Sequence, residues 1–152
     1  MGVAIASYVC YSLKRQLWEG LHNFGLDEFK LALYSSLSNL SRSTTGYTVI
    51  DELPSAFGYA TGGTLVDIHM PLLADNPTAA DPLNKSAIVD MEDAVWLDAS
   101  FSARGGLLYN SSKPGMPAVF VLDFLEDRIP NAGTFSVRFP GGSALTAVLR
   151  TP

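Results

Sequence analysis

The residues of this chain that could carry out chemistry are few and widely separated. There are two histidines, His22 and His69, and one cysteine, Cys10. A zinc site needs three or four His, Cys or carboxylate ligands at recognisable spacing. Asp67 and His69 lie two residues apart and would share one face of a strand. We interpret this pair as a polar strand face and predict no metal and no cofactor.

Acidic residues form two clusters along the chain. They are Asp90, Glu92 and Asp93, followed by Asp123, Glu126 and Asp127. Neither cluster has the alternating oxygen ligands and the glycine bend of a calcium loop, and nothing defines the separation that a glycosidase pair requires. No phosphate-binding glycine loop and no Gly-x-Ser-x-Gly sequence occurs. The sequence therefore predicts a protein that is not an enzyme.

The composition limits the partners of this 152-residue chain. Its formal net charge is −5, and its ten basic residues are scattered. A nucleic-acid-binding surface needs clustered positive charge, so we expect no nucleic-acid partner. Hydrophobic residues make up 47% of the chain and charged residues only 16%. So few charges indicate either that both faces of the sheets are covered or that part of the surface is buried against other subunits. We favour the second, because a small domain has little room to cover both faces.

The beginning of the chain is apolar but does not match a targeting signal. Lys14 and Arg15 are the first positive charges and follow the apolar run, whereas a secretory signal places them before it. The run is also too short to span a bilayer, so we expect no membrane partner. The lone Cys10 is interpreted as a small buried apolar residue.

One amphipathic helix is predicted over residues 7–23. Its apolar stripe has four-residue spacing and consists of Val9, Leu13, Leu17 and Leu21, with Trp18 beside them. Ser7 is the expected N-cap, and Asn23 with Gly25 is the expected end. In an assembly subunit such a helix can contact a neighbour, so the stripe and Trp18 are candidate partner-contact residues.

Short apolar segments separated by turn residues predict strands over the rest of the chain. They are Glu28–Ser35, Thr64–Met70, Ala87–Met91, Ala94–Ala99, Phe101–Asn110, Ala118–Phe124, Gly133–Phe139 and Ala144–Arg150. Ala118–Phe124 has no polar face and should lie inside a sheet. This pattern predicts a mainly β protein, an antiparallel β-sandwich or barrel with one N-terminal helix. We expect a single domain over residues 1–152, with its β-rich body at 28–152.

A long surface loop or arm is predicted over Ala74–Ser86. This stretch is rich in proline, asparagine and aspartate, which favour irregular structure. Long loops often carry function, so residues within it are further candidates for partner contact. They are Asp75, Asn76, Pro77, Pro82 and Leu83.

Several blocks of the sequence resemble a family of small structural proteins of tailed bacteriophages and prophages. The blocks are Tyr11–Ser36, Gly58–Leu65, Val95–Trp96, Phe101–Asn110, Ala118–Phe124 and Gly133–Pro140. They cover most of the chain in the family's order. The family has no catalytic residues to transfer, and the 74–86 stretch looks longer here than is usual for it.

The resemblance implies a virion structural protein assembled in the host cytoplasm. The first expectation is a homo-oligomeric capsid decoration (cement) subunit that binds the major capsid protein or other virion subunits. A tail, neck or baseplate component is the alternative within that class. The alternative from another class is a glycan-binding module that stacks sugars on Tyr47, Tyr59 and Trp96.

Overall fold

The computed structural model describes residues 6–69, 71–75, 85–140 and 149–150, and these contain ten strands and one helix. The elements in chain order are β1 (Ala6–Val9), α1 (Tyr11–Trp18), β2 (Phe29–Tyr34), β3 (Thr64–Val66), β4 (Leu72–Asp75), β5 (Lys85–Val89), β6 (Ala94–Ala99), β7 (Ala103–Asn110), β8 (Ala118–Arg128), β9 (Gly133–Val137) and β10 (Leu149–Arg150). The protein is thus mainly β with one helix, as predicted.

The largest sheet has five antiparallel strands in the order β1-β8-β7-β2-β3. The pairing of β7 with β8 places Leu107 opposite Val121, and the pairing of β2 with β7 places Leu31 opposite Leu108. The prediction that Ala118–Phe124 lies inside a sheet is confirmed, because β8 lies between β1 and β7.

Two smaller sheets complete the described structure. One has three strands in the order β10-β5-β4, and the other is a ribbon of β6 and β9. All their pairings are antiparallel. None of the three sheets closes on itself within the described residues.

Side chains on the two faces of the five-stranded sheet belong to two separate apolar clusters. On one face, Leu33, Leu108 and Phe120 pack with residues of the β6–β9 ribbon, including Trp96 and Val137. Phe135 of the ribbon joins these elements, because its ring centroid lies 5.9 Å from that of Phe124 and 5.7 Å from that of Trp96.

On the other face, Tyr34, Leu107 and Val121 pack with Cys10 and with the half-buried Tyr47. Cys10 is fully buried, which confirms its interpretation as an apolar residue. The expectation that the domain lacks material to cover both sheet faces is wrong. The segment between β2 and β3, which includes Tyr47, covers the second face.

The predicted helix over residues 7–23 is wrong at both ends. Ala6–Val9 forms β1 and pairs with β8, with Ser7 opposite Leu122, so Ser7 is not an N-cap. Cys10 occupies the N-cap position and makes no side-chain capping bond. The edge of β8 offers backbone hydrogen bonds that outweigh the local helical spacing of the sequence.

Gly20 ends the helix earlier than the predicted stop. Its φ is +69°, the left-handed conformation that glycine adopts at low cost. The Gly20 N–H donates to Leu17 O and the Leu21 N–H donates to Gln16 O, which is the Schellman arrangement. The predicted stop at Asn23 and Gly25 is therefore wrong, and Leu21 lies outside the helix.

The predicted loop at 74–86 is shorter than expected. Ala74 and Asp75 belong to β4, and Lys85 and Ser86 belong to β5, so both ends of the stretch form an antiparallel pair. Residues 76–84 lie outside the described residues. The strand predicted at Thr64–Met70 is also shorter, since β3 ends at Val66.

Substitution of Gly63 by alanine should destabilise the fold strongly. Gly63 has φ +81°, and a Cβ there would lie 2.0 Å from Leu31 O. Gly115 is the matched control, since it has φ +77° with open space around it. We expect a loss of about 1–2 kcal/mol for Gly115→Ala from strain alone, and of more than about 3 kcal/mol for Gly63→Ala. Urea unfolding measures both values, and equal losses would contradict the packing at Gly63.

Candidate functional site

The predicted contact stripe does not form one continuous face. Val9 lies in β1, and Leu13 is buried in the core. Leu17 is 49% exposed and Trp18 is 94% exposed at the end of α1, whereas Leu21 is half-buried after it. Only Leu17 and Trp18 of this set therefore present a large apolar surface to solvent.

Of the partner-contact residues predicted in the 74–86 stretch, only Asp75 lies within the described residues. Asp75 lies in β4, where its carboxylate forms an exposed ion pair with Lys85 of β5. The pair joins the two strands and leaves Asp75 available at the surface. The other four candidates, Asn76, Pro77, Pro82 and Leu83, lie outside the described residues.

A groove of about 520 Å³ lies between α1 and the three-stranded sheet, and we name it the α1–β5 groove. Its apolar lining includes Leu13 and Leu17 from α1, Phe24 after the helix, Ile88 from β5 and Leu149 from β10. This size and composition are typical of binding sites. The structure thus brings three of the predicted contact residues, Val9, Leu13 and Leu17, to one concave surface.

One carboxylate of the described structure, Glu52, accepts three hydrogen bonds. Glu52 Oε1 accepts the Tyr59 hydroxyl and the Gly62 N–H, each at 2.6 Å, and Oε2 accepts the Tyr47 hydroxyl at 2.6 Å. The Tyr109 hydroxyl donates to Gly62 O at 2.6 Å, and the Tyr109 ring stacks on Tyr47 with centroids 4.5 Å apart. We name these five residues the Glu52 cluster.

The chemistry of the Glu52 cluster is that of a structural clamp. Burial raises the pKa of Tyr109 to about 12. Burial, followed by the hydrogen bond to Glu52, raises the pKa of both Tyr47 and Tyr59 well above the usual value. These hydroxyls stay protonated at neutral pH and serve as donors. The cluster therefore ties the segment between β2 and β3 to the five-stranded sheet.

A second polar network surrounds a buried histidine. His22 Nε2 lies 2.9 Å from Gln16 Oε1, so this nitrogen donates, and His22 Nδ1 accepts from Asn110 Nδ2 at 3.1 Å. Asn110 Nδ2 also donates to Asp27 Oδ2 at 2.8 Å, and Lys113 Nζ lies 3.4 Å from Asp27 Oδ1. Burial lowers the pKa of His22, so the imidazole is neutral and holds the end of α1 against β7.

The other histidine has the opposite environment. His69 is exposed, with Nδ1 3.0 Å from Asp90 Oδ2 and Nε2 3.0 Å from Glu92 Oε1. The hydrogen bond to Asp90 and the nearby charge of Glu92 raise the pKa of His69. Both ring nitrogens are thus engaged by carboxylates, which agrees with a polar surface role for this residue.

The aromatic residues of the glycan hypothesis are not exposed as a platform. Tyr59 and Trp96 are both buried in the core, with their ring centroids 6.4 Å apart. Tyr47 is half-buried and stacks on Tyr109. A sugar ring needs an accessible aromatic face, and Tyr59 and Trp96 offer none.

Sequence patterns do not single out Glu52, Asn110 or the α1–β5 groove. The donors to Glu52 lie at different offsets along the chain and repeat with no helical or strand period. Asn110 bonds His22 across 88 positions. The only local signal is the Gly62-Gly63 bend, which indicates a turn and nothing more.

Comparison of the chain with protein-family models, curated proteins and solved structures finds no match in any of the three. Among the described residues, no group of three or more His, Cys, Asp or Glu side chains is placed to hold a metal ion. No helix in the same residues has the length and apolar character needed to cross a membrane.

Replacement of Glu52 by glutamine should weaken the clamp. The amide has only one oxygen to accept the three donors, and the charge that strengthens these hydrogen bonds is lost. We expect a loss of about 1–3 kcal/mol in the free energy of unfolding. Glu92→Gln is the control, because Glu92 is exposed and contacts the exposed His69. Urea unfolding of both variants is the measurement, and a wild-type midpoint for Glu52→Gln would disprove the clamp.

The contribution of His22 to the free energy of unfolding should fall as the pH drops below about 6.5, the usual pKa of histidine. His22 has a lowered pKa in the folded state, so the unfolded chain binds its proton first and is favoured at lower pH. The slope is limited to about 1.4 kcal/mol per pH unit. His69 has a raised pKa and acts in the opposite direction, so it must be removed from the comparison.

Urea unfolding between pH 7.5 and 5 isolates the contribution of His22 when His69→Gln is compared with the double variant His69→Gln/His22→Gln. This window lies above the usual pKa values of carboxylates. We expect the single variant to lose stability across the window and the double variant to lose less. Equal slopes of the unfolding free energy against pH in the two variants would show that His22 accepts its proton as readily in the folded as in the unfolded chain.

Proposed function

We propose that this chain is a non-enzymatic structural subunit of a bacteriophage virion, acting as a homo-oligomer on the particle. The observation that carries the proposal is the exposure of large apolar side chains in a domain whose largest sheet already has both faces covered. Sixteen of them are exposed within the described residues, and Trp18, at 94%, is the most exposed. Exposed apolar residues that lie together mark surfaces that are buried against partners, and Leu17 with Trp18 and Val49 with Ile50 are exposed neighbours along the chain.

The strand edges give further support. Within the described residues, the sheet order leaves β1 and β3 at the edges of the five-stranded sheet, and β4 at an edge of the smaller one. Leu72 and Leu73 of β4 are neighbours that point to opposite faces, and both are exposed. An edge strand with apolar residues on both faces can pair with a strand of another subunit. Such pairing would suit a subunit of an assembled particle.

The architecture we propose for the subunit is a β-sandwich. The shared core between the five-stranded sheet and the β6–β9 ribbon supports two packed layers, with Phe135 between them. Within the class of virion proteins, the low charge and compact β body favour a capsid decoration protein that holds neighbouring capsid subunits together. A tail, neck or baseplate component remains the alternative.

The copy number of this chain in purified particles tests the proposal. Quantitative mass spectrometry compares its amount with that of the major capsid protein. A ratio near one, or a simple fraction such as one third, is expected for a decoration protein. A ratio of a few per cent would move the chain to the tail, and absence from the particles would overturn the virion role.

Incorporation of surface variants tests the role of the exposed tryptophan. Trp18→Ser should lower the copy number in particles without lowering the melting temperature, because the side chain makes little contact within its own subunit. Leu37→Ser is the control, since Leu37 is also an exposed apolar residue but lies after β2. Equal incorporation of wild type and Trp18→Ser would exclude Trp18 from the interface.

A further inference from the structure

A wide bulge interrupts the pairing of β7 with β8. Ala103 pairs with Arg128 and Gly105 pairs with Asp123, so Arg104 alone faces the four residues Phe124–Asp127. We name this segment the β8 bulge. An insertion of this size pushes the backbone out of the sheet and re-aims its side chains.

The β8 bulge presents an apolar side chain at its tip, Leu125, between the acidic residues Asp123 and Asp127 of the same strand. Leu125 has φ +67°, which is unusual for a bulky residue, and its side chain is 51% exposed. The Leu125 N–H donates to Asp123 Oδ1 at 2.8 Å, and Arg104 lies 3.7 Å from Asp127 Oδ1. Strain of this kind persists only where surrounding contacts hold it, and it is common at functional positions. The exposed Glu126 carboxylate lies beside the tip and pairs with Arg128, so the three carboxylates around the bulge, Asp123, Glu126 and Asp127, exceed its two arginines, Arg104 and Arg128, by one negative charge.

The α1–β5 groove carries charges of the opposite sign to the carboxylates of the β8 bulge. Lys14, Arg42 and Arg150 line it together with its apolar residues, and no carboxylate of the described residues lines it. Five of the seven other basic residues of the chain lie within 4.0 Å of a carboxylate, namely Arg15, Lys85, Arg104, Lys113 and Arg128. Lys14 and Arg42 have no such partner in the described part of the chain. The groove is therefore basic in a chain of net charge −5.

The β8 bulge and the groove lie at different places along β8. Val9, which lines the groove, pairs with Phe120, whereas Leu125 is five residues further along the strand. At the rise of a β-strand this separation is about 16 Å. This separation keeps the bulge away from the groove of its own chain and leaves both surfaces open to other copies.

We propose that copies of this chain associate head to tail, with the β8 bulge of one copy seated in the α1–β5 groove of the next. Leu125 enters the apolar floor, and Glu126 and Asp127 meet Lys14 and Arg42. A contact between two different surfaces of identical chains generates a ring or a filament. This inference rests on the proposed role as an assembly subunit and names the contact that builds the assembly.

Charge reversal in the purified full chain tests the contact. Sedimentation velocity over a concentration series compares wild type with Lys14→Glu, with Glu126→Lys and with an equimolar mixture of these two variants. Each variant alone opposes like charges, so its self-association should weaken by at least about tenfold. The mixture should recover association, because the reversed bulge of one variant then meets the reversed groove of the other. Arg138→Glu reverses a charge outside both surfaces and should associate like wild type.

Leu125→Gly gives a test that does not depend on charge. Glycine accepts the left-handed conformation of this position, so the variant should keep its melting temperature while it loses the apolar tip and at least about tenfold in association. The inference is overturned by a monomeric wild type, by variants that associate like wild type, or by a mixture without recovery. Absence of the chain from particles would overturn the virion role and leave the solution contact intact.

Discussion

The central strands β7 and β8 carry apolar side chains on both faces of the sheet. Both faces must therefore pack against other parts of the chain, and the rest of the fold is arranged around this need. One cover is the β6–β9 ribbon, which packs through Trp96 and Phe135. The other is the segment between β2 and β3, which places Tyr47 on the second face. A segment without regular structure brings backbone and polar side chains to an apolar surface, so its polar groups need partners.

The Glu52 cluster meets this need at a single carboxylate. Glu52 accepts two tyrosine hydroxyls and one backbone N–H, and Tyr109 anchors the adjacent Gly62 carbonyl. Because burial keeps the tyrosines protonated, every group in the cluster has a fixed role as donor or acceptor. The cluster thus ties the segment between β2 and β3 to the five-stranded sheet.

Several large apolar side chains remain exposed on the surface of the described structure. Its core is covered from within, yet Trp18 and Leu125 remain exposed on different elements. Leu125 in particular is held outward by a strained backbone and by two arginines around the β8 bulge. A fold that uses hydrogen bonds to keep an apolar side chain in solvent is well suited to association.

Local patterns in the sequence are sufficient to predict the mainly β class of the fold and much of its strand content. Ala94–Ala99 forms a strand over the predicted residues, Ala118–Phe124 lies inside a sheet, and Cys10 is buried. These outcomes follow from local patterns of apolar and turn residues. Only the tertiary structure decided that Ala6–Val9 is a strand, that Glu52 gathers its donors, and that the groove lies beside α1. The strand and the groove depend on residues distant along the chain, as in the pairing of Ser7 with Leu122. The donors to Glu52 lie only five, seven and ten residues away, but at offsets that follow no helical or strand period.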